Sequence, residues 1–128
     1  MKYNEDDRAQ RLLDIFPLTN GQINVSYVNS TKHIVAWHMH KKQTDYWICL
    51  KGSFKIGLVQ PPYSNVIWEF LSDKYPRMLT IPPETYHGYQ ALEPGSILLY
   101  YLDHKYDPTD ELREIPGKFS ENWGIEDK

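Results

Sequence analysis

The chain has 128 residues, of which 41% are hydrophobic and 14% aromatic, and its net charge at neutral pH is −3. This length and composition are typical of one folded domain, which we expect to span residues 1–128, and exclude a disordered or low-complexity protein. Acidic residues outnumber basic ones by 17 to 14 and no basic run occurs, so nucleic acid is not expected as a partner. The single cysteine, Cys49, excludes an intrachain disulfide and a cysteine-based zinc cluster.

The N-terminal residues 1–7 lack the apolar core of a signal peptide, and no later stretch approaches 18 apolar residues. We therefore expect a cytoplasmic protein that has no membrane partner. The charged first residues and the tail over 121–128 have the composition of disordered ends.

Short β-rich runs alternate with turn signals along the rest of the chain. The predicted strands are Gln22–Val28, His33–His40, Tyr46–Leu50, Phe54–Val59, Val66–Leu71, Met78–Ile81 and Ser96–Leu102. Gly52 lies between the third and fourth runs and predicts a tight hairpin. Only Thr109–Glu114 has a weak helical pattern. Closely spaced strands with proline and glycine between them favour an all-β barrel or sandwich.

The segment His38-Met39-His40 lies in the second predicted strand. Residues two apart on a strand face the same side, so both imidazoles can point into one cavity while Met39 points away. Asp45 and Gly52 follow, which gives the pattern His-x-His-x4-Asp-x6-Gly. Further along the chain, Pro82 to His87 reads Pro-x4-His.

These two segments resemble the paired motifs of the cupin superfamily. The resemblance implies a double-stranded β-helix, which is a jelly-roll-like barrel, with His38, His40, Asp45 and His87 converging inside. Asp45 stands where that superfamily usually has Glu, and Glu84 stands where it usually has Gly.

A narrower resemblance covers most of the chain after the second predicted strand. The run Leu79 to Tyr89, the Leu-Tyr pair that ends at Tyr100, and the segment Tyr106-x-Pro-x-x-Glu111 are similar to dTDP-4-dehydrorhamnose 3,5-epimerases. The resemblance implies that His38 is the catalytic base, that Tyr100 is the catalytic acid, and that His87 closes the histidine motif. Asp45 and Val35 replace a Lys and an Arg of that family, and the acidic residue that orients His38 is not assigned.

Such a site implies acid–base chemistry on a nucleotide-linked 4-keto-6-deoxy hexose in the synthesis of a surface polysaccharide. The protons on C3 and C5 are acidic because each lies next to the ketone, so an imidazole can remove one and an acid can return one to the enolate. This chemistry needs no cofactor.

Three alternatives stay open from the sequence. His38-Met39-His40-Lys41 also resembles the sugar-nucleotide 3,4-ketoisomerases, in which the two histidines share the proton transfer. His38, His40, Asp45 and His87 could instead hold a divalent transition metal. The third alternative is a barrel that binds sugar without catalysis.

Other residues are expected to bind the substrate or fill the core. Lys41 and Lys51 suit a diphosphate, Asp45 is placed among the substrate-binding residues, and a mouth lined by Tyr86, Tyr89 and Tyr100 suits a base or sugar ring. Tyr101 is expected to face away from Tyr100, and Trp37, Trp47, Phe54 and Trp68 are expected in the barrel core. We also expect a homodimer, because barrels of this kind commonly pair to cover their edges.

Overall fold

The computed structural model describes residues 1–17 and 20–124, which form eleven strands and one 3₁₀ turn at Pro108–Asp110. In chain order the strands are β1 (Lys2–Glu5), β2 (Gln10–Leu13), β3 (Gln22–Val28), β4 (Ile34–His40), β5 (Asp45–Lys51), β6 (Ser53–Val59), β7 (Ile67–Ser72), β8 (Leu79–Ile81), β9 (Tyr86–Ala91), β10 (Ser96–Leu102) and β11 (Glu111–Arg113). Within residues 1–17 and 20–124, no helix is long and apolar enough to cross a membrane.

Two antiparallel sheets form the body of the molecule. One has the strand order β3-β10-β5-β8, the other has the order β11-β4-β9-β6-β7, and β1 pairs with β2 in a separate hairpin. Gly52 makes the tight turn from β5 to β6 at a positive φ of 78°, a conformation that glycine adopts without steric cost. This architecture agrees with the double-stranded β-helix expected from the sequence.

The two sheets enclose an inner core. It consists of alternate side chains from strands of both sheets: Trp47, Cys49, Phe54, Ile56, Leu71, Leu79, Ile81, Ala91 and Leu98. Val28, Leu58, Tyr89 and Tyr100 pack against its edge. Apolar side chains from both sheets therefore fill this part of the interior.

A second cluster, here called the outer cluster, covers the opposite face of the five-stranded sheet. The chain after β11 returns across this face, where Trp123 and Phe119 contact Trp37 on β4. The Glu121 carboxylate fixes this segment, because it accepts hydrogen bonds from the indoles of Trp37 (3.2 Å) and Trp123 (2.9 Å). A Cβ on Gly57 would lie 2.6 Å from Trp37 Cη2, so glycine is required beneath this ring.

Several sequence expectations were wrong. Thr109–Glu114 is not helical, because the 3₁₀ turn gives way to β11, which pairs with β4. Tyr86–Ala91 forms a strand that was not predicted. Trp37 and Trp68 belong to the outer cluster rather than to the barrel core.

The ends of the chain also differ from the expectation. The first residues form the β1–β2 hairpin, and Glu121 and Trp123 are held by the contacts of the outer cluster. Residues 125–128 of the predicted tail lie outside the described residues.

Candidate active site

Three histidines line up on the inner face of the five-stranded sheet. His38 on β4 is the direct cross-strand partner of His87 on β9, and their ring centroids are 6.3 Å apart. His40, two residues further along β4, stacks on His87 at 5.6 Å. Alternation along the strand therefore brings His38, His40 and His87 together, as the spacing of the two motifs predicts.

Glu111 is the acidic partner of His38. β11 pairs with the edge of β4 so that Glu111 lies opposite His40, and its side chain reaches diagonally to His38. The His38 Nδ1 atom lies 2.8 Å from Glu111 Oε1, and Arg113 donates to Glu111 Oε2 at 3.1 Å. With Nδ1–H donating to the carboxylate, Nε2 is left as the ring nitrogen that can accept a proton.

The environment of Glu111 keeps its carboxyl ionised. Burial raises the pKa of Glu111, but hydrogen bonds from Arg113 and His38 outweigh burial and leave that pKa below its ordinary value. A carboxylate beside Nδ1 orients the ring and stabilises the imidazolium that forms when His38 takes a proton.

Asp45 and His87 form a second carboxylate–imidazole pair, which is buried. Asp45 accepts hydrogen bonds from the Gln43 amide at 2.6 Å and from the Trp47 indole at 3.2 Å. His87 Nε2 is 3.7 Å from Asp45 Oδ2, which is beyond hydrogen-bond distance.

Burial lowers the pKa of His87, Asp45 opposes the shift and the other two imidazoles add to it, and the net result is a pKa of about 4. His87 is therefore neutral at neutral pH.

The four-stranded sheet supplies hydroxyl groups to the same interior. Tyr100 on β10 pairs with Trp47 on β5, and the Trp47 ring meets His87 edge-on at 5.2 Å. The neighbouring Tyr101 faces the opposite side of the sheet, where it stacks on Phe16 at 5.6 Å. These are the faces that strand alternation predicts for the two tyrosines.

Two predicted substrate-binding residues lie away from this cavity. Tyr86 precedes the inward-facing His87 and therefore points outward, where it contacts Tyr63 and Phe119 in the outer cluster. Lys51 ends β5 six residues after Asp45, roughly 20 Å along the strand at ~3.3 Å per residue. Tyr86 therefore does not line the mouth that was expected for it with Tyr89 and Tyr100, and Lys51 lies too far along the strand to share a diphosphate site with Lys41 beside the histidines.

Lys41 and Tyr89 do lie near the site. Tyr89 is inward-facing, two residues after His87, and meets Trp47 edge-on at 5.7 Å. Lys41 directly follows His40 in the loop to β5, where the buried Asp110 carboxylate accepts its backbone N–H at 3.1 Å. The same carboxylate binds the next two backbone N–H groups, so this loop is held beside the histidines.

Sequence reasoning missed the roles of Glu111, Asp110 and Gln43. Glu111 ends the Tyr106-x-Pro-x-x-Glu segment, and this motif is the feature of the sequence that marks it as a site residue. Its pairing with a strand 73 residues earlier is visible only in the structure.

Two antiparallel sheets that enclose a His-x-His pair, a carboxylate and a third histidine define a cupin. Within this class, the family model described as "FdtA: WxcM-like, C-terminal" matches residues 15–122. The chain belongs to this family. No curated protein matches it in a sequence search.

Solved structures with the same fold include sugar-nucleotide enzymes. The dTDP-4-dehydrorhamnose 3,5-epimerase of Bacillus anthracis, with TDP and pyrophosphate bound, has a TM-score of 0.85 at 20% identity, covering 98% of this chain and 83% of that one. A double mutant of the QdtA 3,4-ketoisomerase of Thermoanaerobacterium thermosaccharolyticum, in complex with TDP, has a TM-score of 0.74 at 26% identity, covering 88% and 83%. ChmJ, a 3'-monoepimerase of Streptomyces bikiniensis, has a TM-score of 0.83 at 15% identity, covering 98% and 74%.

Proposed function

We propose that this protein is a sugar-nucleotide isomerase that moves protons next to the ketone of a nucleotide-linked 4-keto-6-deoxy hexose. The observation that carries the proposal is the His38–Glu111 hydrogen bond of 2.8 Å. It leaves Nε2 of a partly exposed imidazole as a base, and Tyr100 supplies a hydroxyl donor in the same barrel interior. Epimerases and ketoisomerases are both among the proteins of similar fold.

The shared first step is removal of a proton from the carbon next to the ketone. His38 takes the C3 proton, the C–H electrons form the C3=C4 double bond, and the C4 oxygen becomes an enolate that accepts a proton. In an epimerase, C3 is then reprotonated on its opposite face while the C4 oxygen loses its proton, which restores the ketone at C4. In a ketoisomerase, C4 receives the proton and the C3 hydroxyl loses one, which leaves a ketone at C3.

Three observations favour 3,4-ketoisomerisation over 3,5-epimerisation. His38 and His40 lie two residues apart on one face of β4 and both stack on His87, so one cavity holds two imidazoles for a proton transfer between neighbouring carbons. The buried Asp45 and the exposed Val35 stand where the 3,5-epimerases carry two basic residues. The ketoisomerase from Thermoanaerobacterium thermosaccharolyticum is 26% identical over most of both chains.

Solvent deuterium tests this proposal. The protein is incubated in D₂O with a panel of nucleotide-linked 4-keto-6-deoxy hexoses, and the label is located by NMR. A ketoisomerase gives a 3-keto product with deuterium at C4. Label at C3 and C5 with the ketone still at C4 would instead make the protein an epimerase, and absence of exchange with tight binding would leave a sugar-binding protein.

A metal-dependent enzyme is the second candidate. One ligand atom from each of His40, Asp45 and His87 lies within 4.8 Å of the others. The His87 Nδ1 atom faces the Thr85 carbonyl at 3.4 Å, so Nε2 presents a lone pair to Asp45, and a neutral imidazole suits a divalent ion such as Fe²⁺ or Zn²⁺.

Against this candidate, both Asp45 oxygens already accept hydrogen bonds. Elemental analysis of the purified protein tests it, because a stoichiometric transition metal would displace the metal-free proposal.

We further propose that the protein is a cytoplasmic homodimer that acts in surface polysaccharide synthesis. The edge strand β3 supports a dimer, because Ile23, Val25 and Tyr27 on its outer face are 55%, 42% and 72% exposed. Light scattering of the Tyr27→Glu variant tests the dimer, since a charge in an apolar contact between two copies would produce a monomer.

A further inference from the structure

Gln43 is a buried glutamine in the loop between β4 and β5, and both its backbone and its side chain are fixed. The Asp110 carboxylate accepts its backbone N–H at 3.3 Å, and its side-chain Nε2 donates to Asp45 Oδ1 at 2.6 Å. The residue is only 5% exposed. A carboxylate would repel an amide oxygen at this distance, so the bond to Asp45 fixes which way the amide points.

The amide oxygen, Gln43 Oε1, accepts no hydrogen bond from any of the described residues. Among the same residues, Gln90 Oε1 is the one unpaired side-chain atom that is sealed from solvent, so Gln43 Oε1 reaches open space. That space lies inside the barrel, because the Gln43 side chain meets the inward-facing Asp45. One ligand atom each of His40, Asp45 and His87 lies within 4.8 Å of the others. A fixed acceptor beside this group is available to a molecule that enters the cavity.

We propose that Gln43 Oε1 accepts a hydrogen bond from a hydroxyl group of the bound hexose and thereby helps to select the substrate. This inference rests on the proposed function and adds to it a residue that determines specificity. A 4-keto-6-deoxy hexopyranose linked through C1 has hydroxyl groups only at C2 and C3, so one of these is the donor. A neutral amide oxygen holds a hydroxyl by its hydrogen without removing the proton, which suits recognition rather than catalysis.

The rigidity of this loop suits Gln43 to discriminate between sugars. The Asp110 carboxylate also accepts the backbone N–H groups of Lys41 and Lys42, at 3.1 and 3.0 Å. An acceptor that is already held in place loses little freedom when the sugar binds. A sugar that lacks the hydroxyl, or carries it on the opposite face of the ring, leaves Gln43 Oε1 unpaired and should bind less tightly.

Matched ligands test this contact without turnover. Titration calorimetry of the full chain measures the Kd of dTDP-glucose and of its 2-deoxy and 3-deoxy analogues, with the UDP- and GDP-linked sets in parallel. We expect the protein to bind the complete sugar about tenfold more tightly than one of the two analogues, which is the effect of one hydrogen bond. In Gln43→Met this ratio should fall below about twofold, because the acceptor is gone. Equal weakening of all three ligands in Gln43→Met would mean that the residue only supports Asp45, and would overturn the proposal.

Two further variants separate the acceptor from the rest of the side chain. Gln43→Lys keeps a donor for Asp45 but has no acceptor, so it should lose the discrimination even if the apolar variant folds poorly. Gln10→Met is the matched control, because the exposed Gln10 amide also donates to a carboxylate, that of Glu5, at 3.3 Å. This control should keep the tenfold ratio of the parent protein.

The outcomes distinguish the role of Gln43 from the proposed function. A tenfold ratio retained in both Gln43 variants, or equal binding of the three sugars by the parent protein, overturns the role of Gln43. Binding without turnover of any 4-keto-6-deoxy hexose overturns the proposed function, and the ratios still decide the role of Gln43. Absence of binding to all three nucleotide sets overturns both.

Discussion

The barrel holds two pairs of a histidine and a carboxylate, and they differ in burial and in geometry. His38 and Glu111 are joined by a hydrogen bond of 2.8 Å, and their side chains are 27% and 12% exposed. His87 and Asp45 are 3.7 Å apart, and their side chains are 8% and 6% exposed. The first pair contains the proposed base, whereas burial holds His87 neutral.

This difference shows that residue type alone does not assign the base. Both imidazoles belong to the histidine motifs, and both face the same interior. A neutral, buried imidazole is suited to donate or accept a hydrogen bond, while an imidazole paired with an ionised carboxylate is suited to take a proton. Changes at His38, Glu111, His87 and Asp45 should therefore differ in their effects on activity and stability.

Removing the base should have the largest effect. We expect His38→Gln to lower solvent exchange at the substrate carbon about 10³-fold, because the imidazole is the group that accepts the proton. Folding should change little, because this side chain is 27% exposed. NMR exchange rates and thermal unfolding measure both quantities, with exposed His33→Gln as control. Retention of exchange in His38→Gln would move the role of base to His40.

Removing the charge of Glu111 should have the next largest effect. Glu111→Gln is expected to lower kcat about 10–100-fold with little change in KM, since the residue orients His38 and stabilises its charged form without touching substrate. Arg113→Met is the matched control, because it removes the other neighbour of Glu111 and keeps the bond to His38. An equal loss in both variants would mean that the whole edge strand, rather than the carboxylate, matters.

The buried pair should appear in the pH dependence of stability. The pKa of His87 is about 4 in the folded chain against an ordinary 6.5, so the unfolded chain binds the proton more readily between these values. The free energy of unfolding that depends on neutral His87 is fully present above pH 6.5 and is lost as the pH falls to 4. This difference between the two pKa values corresponds to at most about 3 kcal/mol. Urea unfolding from pH 7 to pH 4 measures it, and His87→Gln should flatten the curve. If the stability of the His87→Gln variant instead changed with pH in parallel with that of the parent protein, the conclusion that His87 is buried and neutral would be wrong.

The smallest kinetic effect is expected for Asp45→Asn. If His87 stays neutral, the carboxylate beside it does not assist proton transfer, and kcat should fall less than about tenfold. Stability should fall by about 1–3 kcal/mol, because the new amide cannot accept from both Gln43 and Trp47. Steady-state kinetics and urea unfolding separate the two effects. Complete loss of activity would favour the metal-dependent candidate, in which Asp45 is a ligand.

The sequence predicts the barrel well where strands alternate between polar and apolar residues. β3 has this pattern from Gln22 to Tyr27, and its predicted bounds agree with the structure. β9 was not predicted, because Gly88 and His87 interrupt its pattern and because it is a central strand, covered on both faces.

The site was predicted only in part for a similar reason. Motif spacing predicts that His38, His40 and His87 lie together, and alternation places Tyr100 inside. The same alternation places Tyr86 outside, because its neighbour His87 faces inward. Glu111 and Asp110 reach their partners through pairings that local sequence does not contain.

The segment from Glu111 to Glu121 holds β4 from both sides, with Glu111 bonded to His38 inside and Glu121 bonded to Trp37 outside. These contacts join residues 73 and 84 positions apart, so a large loop must close before either forms. Contacts of such separation are typically made late, on the millisecond to second scale. A refolding chain should therefore form its local hairpins, such as β6–β7, before it gains a working base.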